Sequence, residues 1–198
     1  MNGNIILLLL LVILIIIVIY YFNKPSNNQV SYIKSDLNNK EYLVQNLEDK
    51  DDAANTLGIV ENRINFLRNY FEENMDNYPE YKQYLEQFCN RIKNLSLHEN
   101  DLDSKYTSYT VNKGDTIALC LRSKKNGEIH DINLIMYVVL HELAHVACPE
   151  VDHTELFKKI FIFFIKIAVM LDIYENKNYQ INPHEYCGII ISENLLKH

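Results

Sequence analysis

The longest apolar run in the chain limits what its N-terminal segment can become. Residues Ile5 to Phe22 read IILLLLLVILIIIVIYYF, without a charged side chain. A helix of about 20 apolar residues crosses the hydrocarbon core of a bilayer and satisfies its own backbone hydrogen bonds there. The run therefore predicts one transmembrane helix over residues 5–22, preceded by a short tail, residues 1–4.

The flanks of this run favour an anchor that is not removed. A cleavable signal peptide has positive charge before its apolar core and small residues after it. Residues 1–4 are uncharged, and the run leads into Asn23. The flanking cations, Lys24 and Lys34, lie on the C-terminal side. By the positive-inside tendency, the sequence predicts a single-pass protein that contacts the bilayer through residues 5–22 and has a cytoplasmic domain.

The composition changes sharply after the run. Residues 23–40 are rich in Asn, Ser and Lys, which bury too little apolar area to order the chain, and they predict a polar linker. Residues 41–198 have the length of one domain. The net charge of −7 and the lack of a basic cluster argue against a nucleic-acid partner. The sequence does not indicate an oligomeric state.

Hydrophobic periodicity in residues 41–198 predicts N-terminal helices followed by a small β-sheet. Apolar residues three or four positions apart predict amphipathic helices over 52–73 and 80–95. The period then changes to alternation in residues 105–123, which predicts a β-hairpin around Gly114. Together with the helices that follow, these elements predict an α+β fold.

Two further helices are predicted from their N-terminal residues. Asp131 precedes a segment that is apolar on all sides, so it is a candidate N-cap for a buried helix that ends before Pro149. Asp152 and Glu155 have the spacing of a capping box, which predicts a fourth helix beginning at His153.

The four cysteines are Cys89, Cys120, Cys148 and Cys187. They lack CxxC spacing, so the sequence indicates neither a zinc ribbon nor a dense disulfide framework. An even number permits disulfides, but we expect free, buried thiols.

The motif His141-Glu142-Leu143-Ala144-His145 lies near the end of the predicted buried helix. Residues four apart lie on one helical face, so both imidazoles can bind one Zn²⁺ ion at about 2.0–2.1 Å. Glu142 lies about 100° around the helix, where its carboxylate can act as general base towards an attacking water. The motif predicts a zinc site with Glu142 as the catalytic residue.

A catalytic zinc site usually has three protein ligands and one open position. His153 is the leading third candidate, because Pro149 forces a turn that lets the next segment fold back on the metal. The competing candidates are Cys148, Asp152, Glu155, His184 and Glu185.

Two features outside the motif have possible roles in the site. His184 and Tyr186 are candidate donors to the oxyanion of a substrate carbonyl, but the sequence favours an ordinary loop with a buried tyrosine. Residues 117–121 form either an exposed edge strand that binds an extended substrate or a covered core strand.

The HExxH motif, the short turn and His153-Thr154-Glu155-Leu156-Phe157 resemble the WLM/SprT-like group of small zinc peptidases. The chain is similar above all to WLM-type metallopeptidases of large DNA viruses, in the segments Asp52-Ala53-Ala54, 107–110, Lys113-Gly114-Asp115, 119–122 and Tyr186-Cys187-Gly188. The resemblance implies a zincin-like, small gluzincin fold, Zn²⁺ bound by His141, His145 and His153, and Glu142 as the acid–base carboxylate. If the protein is viral, the membrane is that of a virion or a host cell.

The residues and the resemblance together predict a membrane-anchored, zinc-dependent metallopeptidase that cleaves a protein or peptide substrate. The alternative is a catalytically silent membrane or virion scaffold that retains the fold. Glu142 favours the enzyme, because a purely structural zinc site is normally closed by four ligands and needs no base.

Overall fold

A computed structural model describes residues 11–15, 29–101 and 103–193. The strands are β1 (Val30–Lys34), β2 (Glu41–Gln45), β3 (Ser96–Glu99), β4 (Tyr109–Val111), β5 (Thr116–Leu119), β6 (His184–Tyr186) and β7 (Ile189–Ile191). The longer helices after residue 29 are α1 (Lys50–Asn74), α2 (Lys82–Arg91), α3 (Ile132–Ala147) and α4 (Glu155–Met170). Short 3₁₀ helices, Met75–Asn77 and Ile92–Asn94, follow α1 and α2. The predicted α+β class is confirmed.

The main sheet has the strand order β1-β2-β3-β5-β4. Its inner strands β2, β3 and β5 run parallel, whereas β1 and β4 pair antiparallel at the two edges. Strands β6 and β7 form a separate two-stranded hairpin, which we call the C-terminal hairpin. The short strand β4 is therefore one edge of the main sheet, next to β5.

The helices pack against the sheet through apolar faces with helical spacing. Leu57, Val60, Ile64 and Leu67 lie three or four residues apart on α1 and are buried. Helix α1 contacts β1, β2 and β3, while α3 contacts β4, β5 and each of the other three helices. The predicted helices over 52–73 and 80–95 are confirmed, although the second ends as a 3₁₀ turn. Helix α3 is buried on most sides, so Asn133 and Glu142 are buried while His141 and His145 are partly exposed.

The two predicted helix starts have different outcomes. The Asp131 carboxylate accepts hydrogen bonds from the backbone N–H groups of Asn133 and Leu134, so the predicted cap of α3 is confirmed. The predicted start of α4 at His153 is wrong, because the N-cap is Thr154, whose hydroxyl accepts from the Phe157 N–H. His153 therefore lies in the connection before the helix.

The N-terminal predictions are only partly covered by the described residues. The prediction of a polar linker over residues 23–40 is wrong from residue 30 onward, since β1 pairs with β2 along its whole length. Residues 11–15 are helical, but residues 1–4 and the rest of the predicted anchor, 5–22, lie outside the described ranges. No helix within those ranges is long and apolar enough to cross a bilayer.

Two expectations about the middle of the chain also change. The β-hairpin around Gly114 is confirmed by the antiparallel pairing of β4 with β5. Strand β5, however, lies between β3 and β4, so residues 117–121 are a covered core strand and β4 is the edge.

Cys120 and Cys187 form a disulfide, contrary to the expectation of four free thiols, whereas Cys89 and Cys148 are free and buried.

Candidate metal centre

Three imidazoles converge where α3 meets the segment that leads into α4. The Nε2 atoms of His141, His145 and His153 lie 3.0–3.3 Å from one another. Three neutral imidazoles facing each other through Nε2 cannot all be satisfied by protons, because one shared proton serves only one pair. Tetrahedral Zn²⁺ with bonds of about 2.0–2.1 Å would separate its ligand nitrogens by about 3.3 Å, so this triangle fits a metal ion.

The local sequence explains how the three rings reach one point. His141 and His145 project from one face of α3, one turn apart. The connection after α3 turns back at Asp152, whose φ of 66° is in the left-handed region, and this turn brings His153 over the helix. No other described His, Cys, Asp or Glu completes a group of this kind with them. Of the candidate third ligands, the structure brings only His153 to the other two.

Aromatic rings hold the imidazoles in place. The ring of Phe157 stacks on His145 at 4.1 Å between centroids and meets His141 and His153 at 5.0 and 4.9 Å. Phe161 contacts the other side of His141 at 5.2 Å. Because both phenylalanines are on α4, the packing of α4 against α3 fixes the ring orientations.

The surroundings keep two of these imidazoles neutral. Burial, followed by the neighbouring imidazoles, lowers the pKa of His141 to about 3. Burial also lowers the pKa of His145 to about 4, although Asp152 opposes this shift. Neutral imidazole is the form that binds metal, so both rings are ready to act as ligands at neutral pH.

Glu142 is a buried carboxylate beside the histidines, with 8% of the residue exposed. Burial raises its pKa, and a hydrogen bond of 2.9 Å from the Thr110 hydroxyl to Oε2 opposes that rise. Thr110 belongs to the edge strand β4, so the sheet orients the carboxylate. The role of Thr110 was not predicted from the sequence, because a threonine in an alternating strand carries no distinctive pattern.

A cavity of about 620 Å³ opens over these residues. The residues that line it include the three histidines and Glu142, and one wall is formed by residues 107–110. Another wall contains Tyr186 and Ile189–Ile191 of the C-terminal hairpin. The site is therefore a groove that is lined by both the sheet edge and this hairpin.

None of the other predicted candidates joins the cluster of three histidines. Glu155 pairs with Lys158, and Glu185 accepts hydrogen bonds from Ser123 and Gly188. His184 is exposed, with Nδ1 2.8 Å from the Asn182 carbonyl oxygen, whereas Tyr186 lines the cavity. Cys148 is a buried free thiol, and the carboxylate of Asp152 is absent from the three-residue cluster.

The chain is similar to proteins of known families and to viral proteins. The sequence profile of the WLM domain matches residues 91–161, which include the HExxH motif and His153. An uncharacterized protein of Acanthamoeba polyphaga mimivirus is 62% identical over 174 residues, covering 88% of both chains. An uncharacterized protein of Invertebrate iridescent virus 6 is 40% identical over 79 residues, 36% of this chain and 44% of that protein.

Among solved structures, Wss1 from Saccharomyces cerevisiae has a similar fold. The match covers 66% of this chain and 88% of the Wss1 chain, with a TM-score of 0.50 and 22% sequence identity. At that identity the likeness concerns the α+β fold alone.

Proposed function

Because this chain belongs to the WLM-domain family and has relatives in large DNA viruses, we propose that it is a zinc-dependent peptidase of the zincin type. The observation that carries the proposal is the triangle of three Nε2 atoms beside the buried carboxylate of Glu142. These groups face a cavity large enough for a short peptide segment. The site thus combines a metal-binding set with an acid–base group.

The donor set favours zinc in a catalytic role. Three imidazoles without a thiolate are typical of catalytic zinc sites, which keep one position open. A Zn²⁺ ion held by His141, His145 and His153 would polarise the substrate carbonyl and lower the pKa of the attacking water. A zinc X-ray absorption spectrum with three nitrogen neighbours would support this set, and a spectrum with sulfur neighbours would contradict it.

Glu142 is the proposed general base and acid. Its carboxylate accepts the proton of the attacking water and returns it to the amine that leaves the cleaved peptide bond. Burial raises the pKa of Glu142 towards the range in which a carboxylate exchanges protons efficiently. The hydrogen bond from Thr110 leaves Oε1 available for this exchange.

The edge strand β4 is the proposed binding surface for an extended substrate. Its inner side pairs with β5, so backbone groups on its outer side can pair with a peptide strand. Residues 107–110 line the cavity directly beside Glu142. The proposed substrate is therefore a protein segment or peptide in extended conformation.

Membrane attachment through residues 5–22 remains a proposal. It is supported by the length and apolar character of the run, with the domain placed on the cytoplasmic side by Lys24 and Lys34. Sedimentation of the full chain with lipid vesicles after an alkaline wash tests it. Recovery of the protein in the supernatant would contradict the anchor.

The direct test of the enzymatic proposal is Glu142→Gln in the full chain. We expect this variant to keep one zinc ion but to lose peptidase activity by about 10²–10⁴-fold, the usual contribution of a general base. The matched control is Glu155→Gln, since Glu155 is exposed, forms a surface pair with Lys158 and lies outside the histidine cluster. Equal activity in Glu142→Gln and the wild type would disprove the mechanism. Zinc binding without wild-type hydrolysis would favour a scaffold.

A further inference from the structure

A disulfide joins the main sheet to the C-terminal hairpin beside the proposed site. Cys120 follows β5, and Cys187 lies in the turn between β6 and β7, 67 positions later, with 6.3 Å between their Cα atoms. Both are almost fully buried, and both Sγ atoms lie 3.3 Å from the carbonyl oxygen of Arg122. The bond therefore ties the hairpin, which forms one wall of the cavity, to the main sheet, whose edge forms another wall.

The same two cysteines contribute to a hydrogen-bonded group around Tyr186. The Cys120 N–H donates to the Ser108 hydroxyl, which lies 2.8 Å from the Tyr186 hydroxyl. The Cys187 N–H donates to Nε2 of His130, and the His130 ring stacks on Tyr186 at 5.0 Å. Tyr186 and Ser108 both line the cavity. The disulfide thus lies directly behind two residues of the substrate groove.

The hairpin has little support of its own. It pairs with no strand of the main sheet within the described residues. An isolated two-stranded hairpin is at best marginally stable in water. Ile189 and Ile190, which line the cavity, are more than half exposed. Apart from the group around Tyr186, the hairpin is held by a hydrogen bond from Ser123 to Glu185, by the contact of the His184 ring with Tyr179 at 5.6 Å, and by Ile191 packing on the core.

We propose that the Cys120–Cys187 disulfide is a positioning element of the peptidase site, and that its formation by thiol–disulfide exchange completes the substrate groove. This inference rests on the proposed function. In the dithiol state only noncovalent contacts hold the hairpin to the sheet, and when these break the groove loses the wall formed by Tyr186 and Ile189–Ile191. Oxidation returns that wall to a fixed distance from β4.

The exchange needs a small-molecule disulfide as oxidant. The thiolate of Cys187 attacks one sulfur of that disulfide, forms a mixed disulfide and releases one thiolate. The thiolate of Cys120 then attacks the Cys187 sulfur, forms the Cys120–Cys187 bond and releases the second thiolate. The two electrons reduce the small disulfide to two thiolates, which take up from solvent the two protons that the cysteine thiols released and become thiols.

Burial makes reduction of the Cys120–Cys187 disulfide slower than its formation. In the closed state, external thiols have little access to either sulfur, since each cysteine is at most 6% exposed. Reduction therefore requires a local opening that exposes the sulfur atoms, whereas oxidation can begin on the open dithiol form. Reducing conditions therefore keep newly made protein open, and oxidising conditions close it durably.

The first test compares the double variant Cys120→Ser, Cys187→Ser with Cys89→Ala, a buried free cysteine outside the site. The measurements on the full chain in detergent micelles are zinc content, amide hydrogen exchange and peptide hydrolysis. In the double variant we expect loss of protection confined to residues 184–191 and 107–110. Zinc should be retained, and KM should rise by about tenfold or more with a smaller change in kcat, since the substrate is held less precisely.

The second test uses the wild type, so that it does not depend on folding of the double variant. The protein is equilibrated in glutathione buffers of increasing oxidised fraction. Free thiols are then alkylated, and mass spectrometry gives the fraction of protein that contains the Cys120–Cys187 disulfide. Protection of residues 184–191 should follow the disulfide fraction. Equal protection in the reduced and oxidised protein would overturn the inference.

The two proposals fail in distinguishable ways. If hydrogen exchange follows the disulfide but neither form hydrolyses peptides, the hairpin is held by the disulfide and the peptidase function is wrong. If both forms hydrolyse peptides with the same KM, the peptidase function stands and the positioning role is wrong. A loss of protection throughout the chain would also overturn the positioning role, because it would show a general effect on stability.

Discussion

At the scale of single residues, the contact between Thr110 and Glu142 matters most for the proposed chemistry. A hydrogen bond to a charged group contributes about 1.5–3 kcal/mol. Replacing Thr110 with Val keeps the shape of the side chain but removes the donor that orients the carboxylate. We expect kcat for peptide hydrolysis to fall by about tenfold or more while zinc binding is unchanged.

The matched control for this prediction is Thr110→Ser, which keeps the hydroxyl and loses only a methyl group. It should retain most of the wild-type kcat. Similar losses in both variants would indicate that packing of the methyl group, and not the hydrogen bond, is important at this position.

The residues of the site were predicted to very different degrees. The HExxH spacing alone places His141, His145 and Glu142 together, because it depends only on the helical repeat. His153 remained one of six candidates, since its position depends on the turn at Asp152 and not on any periodicity. Thr110 and the disulfide were missed, because they depend on which strands meet in space. The metal itself and the catalytic role of Glu142 remain proposals.

At the scale of secondary structure, docking of the C-terminal hairpin should depend on pH through His130. Burial lowers the pKa of His130, while Glu185 nearby opposes that shift. When the hairpin opens, His130 regains its ordinary pKa of about 6.5 and takes up a proton that the docked form excludes. Docking should therefore be strongest above about pH 6.5 and weaken as the pH falls below it.

Hydrogen exchange of residues 184–191, corrected for intrinsic rates, measures this effect between neutral and mildly acidic pH. His130→Phe keeps an aromatic ring beside Tyr186 but cannot titrate, so its pH dependence should disappear. An identical pH dependence in the wild type and in His130→Phe would assign the effect to another group.

Elements with a strong hydrophobic period were predicted, and the others were not. Helices α1 and α3 follow from apolar residues at helical spacing or on all sides. Strand β1 has no fully buried residue, so it shows no apolar face by which composition could identify it. Strands β3, β6 and β7 have only three or four residues each and lie outside the long alternating stretch of residues 105–123, so no period identified them.

At the scale of the whole molecule, a buried ion pair connects distant parts of the chain. Arg122 is 1% exposed, donates to Glu99 of β3 at 2.8 Å, and also contacts Asp49 just before α1. The second carboxylate oxygen of Glu99 accepts from the Gln45 N–H. This cluster joins the central strands to the start of the longest described helix.

We expect Glu99→Gln to lower the free energy of unfolding by about 3–5 kcal/mol, because it leaves the Arg122 charge buried and incompletely paired. Urea denaturation measures the change. Asp76→Asn, which breaks an exposed pair with Lys82, is the control and should leave the denaturation midpoint unchanged. A small effect of Glu99→Gln would show that Asp49 alone compensates the arginine.

The folded part begins at β1, so the length of chain between the proposed anchor and β1 limits the distance of the domain from the membrane. Only the peptide segment from Phe22 to Val30 separates the proposed anchor from the sheet. Fully extended, that segment spans at most roughly 28 Å. If residues 5–22 cross a bilayer, this short segment keeps the start of β1, and the domain attached to it, close to the lipid headgroups. Targets would then be selected by their distance from the membrane before they are selected by their sequence.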